Sequence, residues 1–177
     1  VPCDNCGSSD ANSLYTDGHT FCFVCHARTP ADNEVIHSQT MTKTVTLTGS
    51  AERLHKRNIS EKTNQFYQIY RDGNTLRFPY HTADGILQGV KVKTKKKDFR
   101  YEGIPTDTLF AQHRFPNTGK RIVVTEGELD AASCYEAMAG WPMVSLPHGA
   151  QSAKKDIQKQ IPLFQGYEET ILFFDGD

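Results

Sequence analysis

Three short runs near the C-terminal end are apolar up to a polar edge: "RIVVTEG" (121–127), "PMVSLPHG" (142–149) and "TILFFDGD" (170–177). Each reads as a buried strand. Between them, "ELDAASCYEAMAG" (128–140) and "SAKKDIQKQI" (152–161) carry helical signals, the first closed by Gly140. Strand–helix alternation at this spacing predicts a parallel sheet with right-handed crossovers. The middle of the chain differs. "TLRFPY" (75–80) and "ILQGVKVKT" (86–94) flank "TADG" and predict a β-hairpin, with Pro79 placing the first strand at an edge. Upstream, Ser50 caps a predicted helix "AERLHKR", Ser60 caps a second, "EKTNQFYQ", and Asn58 between them suits the left-handed conformation. Near the N-terminus, residues 13–15 and 19–21 predict two short strands around a turn at Asp17-Gly18. Residues 29–45 are polar and without period, which predicts a flexible linker.

The expected organisation is therefore a small all-β module (1–28), a linker (29–45), an N-terminal subdomain of mixed structure (46–117) and an α/β subdomain (118–177). Three strands ending in an acidic loop make an unfinished sheet, so the domain is expected to be truncated at its C-terminal end, and Val1 suggests a natural start upstream. With 37% hydrophobic and 23% charged residues in 177, the composition is that of a globular chain and excludes wholesale disorder. No apolar run approaches the roughly 20 residues of a membrane span, so no membrane partner is expected. No secretory signal is visible. A net charge of −1 says nothing about nucleic acid; the local distribution does.

Four of the five cysteines fall in the first 25 residues, as C-x₂-C-x₁₅-C-x₂-C: Cys3, Cys6, Cys22 and Cys25. Two disulfides are the competing reading, but paired C-x-x-C turns are what a tetrahedral zinc site requires. Four thiolates leave no open coordination position, so the zinc is structural. A module this small buries little core, and the metal supplies most of its folding free energy. Cys134 stands alone on a predicted helix and reads as a small core residue.

Chemistry in an open α/β sheet gathers outside the carboxyl ends of the strands. Glu126, with Asp130 one turn into the helix, follows one predicted strand; Asp175 and Asp177 follow another. Gly127 and Gly176 accompany them. As separate features these are helix-terminal acids and a solvated turn. Together they suit Mg²⁺ or Mn²⁺, hard cations that take oxygen ligands and leave room for substrate phosphate. The stretch "KVKTKKKDFR" (91–100) holds six cations and one acid, and alternation would align Lys91, Lys93, Lys95 and Lys97 on one face. Such a column suits a phosphate backbone, or guards an edge strand against aggregation. His148, Gly149, Lys154 and Lys155 open a helix at a phosphate-facing position.

"VVTEGELD" followed by "FFDGD" resembles the Toprim module of primases and topoisomerases. With "PCDNCGSSDANSLYTDGHTFCFVC", "GVKVKTKKKDF" and "VSLPHGAQSAKK" in the same order, nearly the whole chain resembles the primase half of the T7-type phage primase–helicases. The resemblance implies an N-terminal zinc ribbon followed by a mixed α/β Toprim-type primase domain. It implies a DNA primase: the ribbon reads a single-stranded DNA trinucleotide through Asp17 and His19, and the second domain joins ribonucleoside triphosphates into a short RNA primer. Glu126 is then a catalytic acid that helps activate the 3′-hydroxyl or binds metal, Asp175 and Asp177 hold the metal ions, and Lys91, Lys93 and Lys97 contact incoming nucleotide and primer, with Asp130 and Lys154 beside them. His148 lies in a matching segment without an assigned role. Implied partners are the template, a linked or associated replicative helicase and a DNA polymerase, in the cytoplasm of an infected bacterial host. No Walker A loop is present in these residues. Tyr15, Phe21 and Phe23 suit unstacked bases, whereas His19 taken alone reads as a residue that packs on the hairpin. The rival readings are a Toprim nuclease with the same acids and a non-catalytic module that binds DNA or anchors a helicase.

Overall fold

The computed structural model describes residues 1–16, 18–29, 45–96, 98–138 and 140–175. The chain divides into two compact units, Val1–Thr42 and Lys43–Asp177. The expected linker, apart from its end residues, lies outside the described residues, as do Asp17, Lys97 and Asp177.

The first unit is a three-stranded antiparallel sheet of β1 (Asn12–Leu14), β2 (Thr20–Cys22) and β3 (Arg28–Thr29), in that order. The register runs from Asn12↔Cys22 to Leu14↔Thr20, as the turn at Gly18 predicts. Gly18 sits at φ 91°, a conformation glycine adopts without steric cost, and its N–H donates to the Tyr15 carbonyl. β3, too short for any period, was not expected. Among its described residues only Cys3 and Cys22 are buried, while Leu14, Phe23 and Val24 face solvent.

The second unit begins with an irregular segment that corrects one expectation. Ser50 does not cap a helix; its backbone pairs with Arg71 as an isolated β-bridge, and the segment that follows forms only a 3-10 turn, His55–Arg57. The Leu54–Ile59 bridge folds the chain back too tightly for a longer helix, with Asn58 left-handed at φ 53° as expected. Ser60 does cap α1 (Glu61–Tyr67), its hydroxyl accepting the Thr63 N–H at 3.1 Å.

Four antiparallel strands follow: β4 (Tyr70–Asp72), β5 (Thr75–His81), β6 (Leu87–Lys93) and β7 (Phe99–Gly103), in chain order across the sheet. β5 is therefore interior, not an edge strand. Pro79 is tolerated because β4 reaches only to Arg77, so Pro79 pairs with Val90 on one side alone. The four-lysine column is also corrected. β6 ends at Lys93; Lys95 and Lys96 lie in the turn to β7, closed by Thr94 N–H on the Asp98 carbonyl. Of the column's described lysines, Lys91 and Lys93 alone stand on the strand.

The parallel sheet is as expected: β8 (Gly119–Thr125) lies between β10 (Tyr167–Phe173) and β9 (Met143–Ser145), paired parallel to both. The crossovers are α2 (Glu128–Ala137), and then α3 (Ala153–Lys159) with α4 (Ile161–Phe164). One core joins the two sheets. Phe78 and Tyr80 of β5 and Phe110 pack with Val123, Ala131 and Met143 from the parallel layer. Tyr67 of α1 is buried there too and donates its hydroxyl to the Met143 carbonyl at 2.9 Å. Burying large aromatics in close-packed surroundings fixes the two sheets against each other. A second cluster around Val124, Val144 and Leu163 fills the other face of the parallel sheet. No helix among the described residues is long and apolar enough to cross a membrane.

Candidate active site

The ribbon brings Cys3, Cys6, Cys22 and Cys25 together with all four sulfurs within 4.8 Å of one another. Cys3–Cys25 and Cys6–Cys22 are each 3.7 Å apart. A disulfide requires about 2.05 Å. A zinc tetrahedron with Zn–S bonds of about 2.3 Å requires sulfur–sulfur edges of about 3.8 Å. The donors and their spacing fit zinc. The Asn5 amide donates to Cys25 at 3.4 Å, and this bond, with the Ala27 backbone, holds that thiol down to about 6. Beside the centre, His19 stacks flat on Tyr15, centroids 4.2 Å apart and planes 6° off parallel. Phe21 meets Phe23 edge-on at 5.1 Å. The exposed rings of Tyr15 and Phe23 offer stacking surfaces to unpaired bases.

In the second unit the parallel register decides what can meet. Thr125 of β8 pairs with Phe173 of β10 and with Ser145 of β9, so all three strands end at one level. The residues just past those ends, Glu126, Asp175 and His148, therefore share one edge. They line a single cavity of about 520 Å³ together with Asp130. Its opposite wall is the antiparallel sheet, which contributes Lys91, Lys93 and Phe99. Acids from one sheet thus confront cations from the other.

The electrostatics inside the cavity are more structured than the sequence suggested. Glu128, which the sequence reading passed over, is the buried acid of the set, only 5% exposed. It accepts the Tyr80 hydroxyl at 2.7 Å and pairs with the Lys91 ammonium at 2.7 Å. Lys91 also donates to the Pro147 carbonyl at 3.0 Å, so its head is held from two sides. Burial, reinforced by the Glu128 charge, raises the Tyr80 hydroxyl well above its ordinary range and keeps it a donor. Arg57, also unforeseen, pairs with Asp130 at 2.5 Å. Glu126 and Asp175, by contrast, have no protein cation among the ion pairs of the described residues. Half-buried Glu126 and exposed Asp175, at one mouth and without a cation partner among the described residues, are the donor set a hard divalent cation takes.

His148 is fixed from below. Its Nδ1 lies 3.1 and 3.2 Å from the two oxygens of Asp156, a carboxylate 4% exposed on α3. That contact orients the ring at the cavity edge. Lys154 and Lys155 are exposed on α3, and Lys154 is not among the residues lining the cavity. Cys134 is half-buried against the main core, as expected of a packing residue. Of the sequence-predicted residues, Glu126, Asp130, Asp175, Lys91 and Lys93 are brought together; Asp17, Lys97 and Asp177 lie outside the described residues. The signal that could have found Glu128 is its place one step inside the helix after Gly127, where its side chain turns toward the sheet rather than toward solvent.

Residues 1–35 match the family described as the zinc-binding domain of primase–helicase. Over its full length the chain is 38% identical to the DNA helicase/primase of Enterobacteria phage T3, of which it spans 35%. The crystal structure of the primase fragment of the bacteriophage T7 primase–helicase is similar over the whole chain, at 38% identity and TM-score 0.68, covering 79% of that fragment. A second likeness covers 99% of this chain and 78% of the other, at 39% identity and TM-score 0.67. It is to a structure in which T7 lagging-strand DNA polymerase interacts with primase domains bound to an RNA/DNA hybrid and dTTP.

Proposed function

Because this chain belongs to the family of the phage primase–helicases, as its primase part, we propose that it synthesises short RNA primers on single-stranded DNA by metal-dependent nucleotidyl transfer. The observation that carries the reading is the single cavity in which Glu126, Asp130 and Asp175 face Lys91 and Lys93. Phosphoryl and nucleotidyl transfer ask for positioning and charge neutralisation more than for covalent help. Glu126 and Asp175, with Asp177, would hold Mg²⁺ or Mn²⁺, which would supply Lewis-acid stabilisation of the developing charge. The chain's own groups do the rest. Lys91, clamped by Glu128 and the Pro147 carbonyl, presents a fixed positive charge to a phosphate. Lys93, and Lys97 beside it in sequence, add charge along the primer path. Glu126, in the cavity wall, would accept the proton of an attacking 3′-hydroxyl. Asp130, in the cavity wall, would lie beside the nucleotide.

The ribbon reads the template. Asp17 and His19 supply polar contacts to base edges and Tyr15 supplies a stacking face. Residues 29–45 act as a tether of intermediate reach that delivers the bound trinucleotide to the cavity. A replicative helicase and a DNA polymerase are the protein partners, in the cytoplasm of an infected bacterium.

The test is ribonucleotide incorporation on a panel of single-stranded templates covering all trinucleotides, with Mg²⁺, comparing the full-length protein and Glu126→Ala. Template-dependent oligoribonucleotides that vanish in the variant support the reading. Cleavage of the template instead of synthesis identifies a nuclease. Binding without either reaction, with zinc present, identifies a non-catalytic module.

A further inference from the structure

Next to the acid–lysine cavity lies a smaller one of about 250 Å³, walled by Tyr80, Phe99, Tyr101, Pro105, Thr106 and Pro147. The two cavities share Lys91, Phe99, Pro147 and His148. Charge and hydrogen-bonding groups crowd the first; rings and prolines dominate the second. We propose that Phe99 and Tyr101 form the stacking face for the nucleobase of the ribonucleotide whose phosphates lie against Lys91 and Lys93. This rests on the primase reading above.

Two features point to a ligand. Phe99 and Tyr101 are two apart on the strand and share one face, yet Phe99 is 53% exposed and Tyr101 38%. Across the ladder, Phe99 pairs with Lys93 and Tyr101 with Lys91. The Lys91 and Lys93 ammoniums lie 5.1 and 5.4 Å from the Phe99 centroid. Cations and π-faces thus alternate within the reach of one nucleotide, the arrangement proteins use to hold a phosphate and its base at once.

The second feature is Gly89 of β6. A Cβ there would meet the Tyr101 ring at 2.3 to 2.5 Å. The tyrosine lies across the bare backbone, where only glycine gives it room. A ring seated over the bare glycine backbone needs little further ordering to stack on a base. A template base has the same chemistry; the shared walls favour the nucleotide, because its triphosphate and base are joined through one sugar.

The experiment is calorimetric titration of the zinc-loaded, full-length protein with ATP and, separately, with tripolyphosphate, in Mg²⁺, for wild type, Phe99→Leu and Phe99→Ala. Phe99 is exposed, and equal urea midpoints verify that both variants fold. A base stacking on an aromatic side chain is worth a loss of about 5- to 150-fold on truncation. We expect ATP affinity to fall by at least about fivefold in both variants while tripolyphosphate affinity is unchanged. Unchanged ATP affinity, or equal losses for ATP and tripolyphosphate, overturns the proposal, as does wild type without ATP binding. Loss of affinity for a single-stranded template with ATP binding intact assigns the rings to DNA and also overturns it. Wild type that binds ATP base-dependently but makes no primer refutes the primase reading and leaves the base site standing.

Discussion

Glu128→Ala should be among the most destabilising single changes in the second unit. The carboxylate is buried and makes two 2.7 Å contacts, with the Tyr80 hydroxyl and the Lys91 ammonium. Removing it leaves Tyr80, itself 1% exposed, without an acceptor and Lys91 with only the Pro147 carbonyl. Breaking a buried ion pair by deleting one partner costs about 3–5 kcal/mol. The Lys91 side chain is 19% exposed and can turn toward water, which puts the expected loss near the lower end, about 3 kcal/mol. Tyr80→Phe removes only the hydroxyl and should cost about 1 kcal/mol. Lys91→Met combined with Glu128→Ala removes both charges, so the double variant should be more stable than the sum of the singles by at least about 1.5 kcal/mol. Trp141 is the chain's sole tryptophan and packs under Arg121 in the second unit, 4.4 Å from the guanidinium to the ring centroid. Its fluorescence during urea unfolding therefore reports on this unit. A loss below about 1 kcal/mol for Glu128→Ala, or strictly additive losses in the cycle, would refute the clamp that fixes Lys91.

Two further outcomes follow from the geometry. Chelating zinc, or replacing Cys22 by Ser, should unfold the ribbon while leaving the Trp141 signal of the second unit unchanged, because few side chains of the ribbon are buried apart from the ligands; zinc content and amide NMR dispersion check it. Acidification should destabilise the second unit between about pH 6.5 and pH 4. The His81 and His113 rings meet with centroids 4.0 Å apart and planes tilted by 37°, near Arg114, and burial first, with the neighbouring positive charge, holds each down to about 4. In that window the unfolded chain binds protons that the folded one refuses, so stability falls with pH. A urea midpoint that is flat from pH 7 to 4.5 in wild type, or that falls equally in His81→Phe/His113→Phe, would contradict this.

The cysteine tetrad, the parallel strand–helix alternation and the acids at the strand ends were legible in the sequence because each is a local pattern. C-x-x-C spacing sets two thiolates on one turn, an apolar run ending in an acid marks a strand edge, and Ser60 three residues before Thr63 marks a helix start. Errors arose where a partner strand or a fold-back decided the outcome. Ser50 had a cap's chemistry, but Arg71, remote in sequence, took its backbone into a bridge. Pro79 had an edge residue's chemistry, but the shortness of β4 made the edge local. The lysine column assumed a longer strand than the turn at Lys95–Lys96 allows.

What the sequence determined by itself is therefore the inventory: a zinc ligand set, a fold class and a list of acids and cations. Which of them meet was decided by tertiary structure alone. Arg57 and Asp130 are 73 residues apart, and Tyr80 and Glu128 48 apart. Glu126 and Glu128 stand two residues apart with the same side-chain chemistry, yet one is half-exposed at the cavity mouth and the other is buried under Lys91. The strand-to-helix turn at Gly127 separates their directions, and only the packing of the second sheet gives the inner acid its cation, because a carboxylate leaves water only where a charge and a donor are waiting for it.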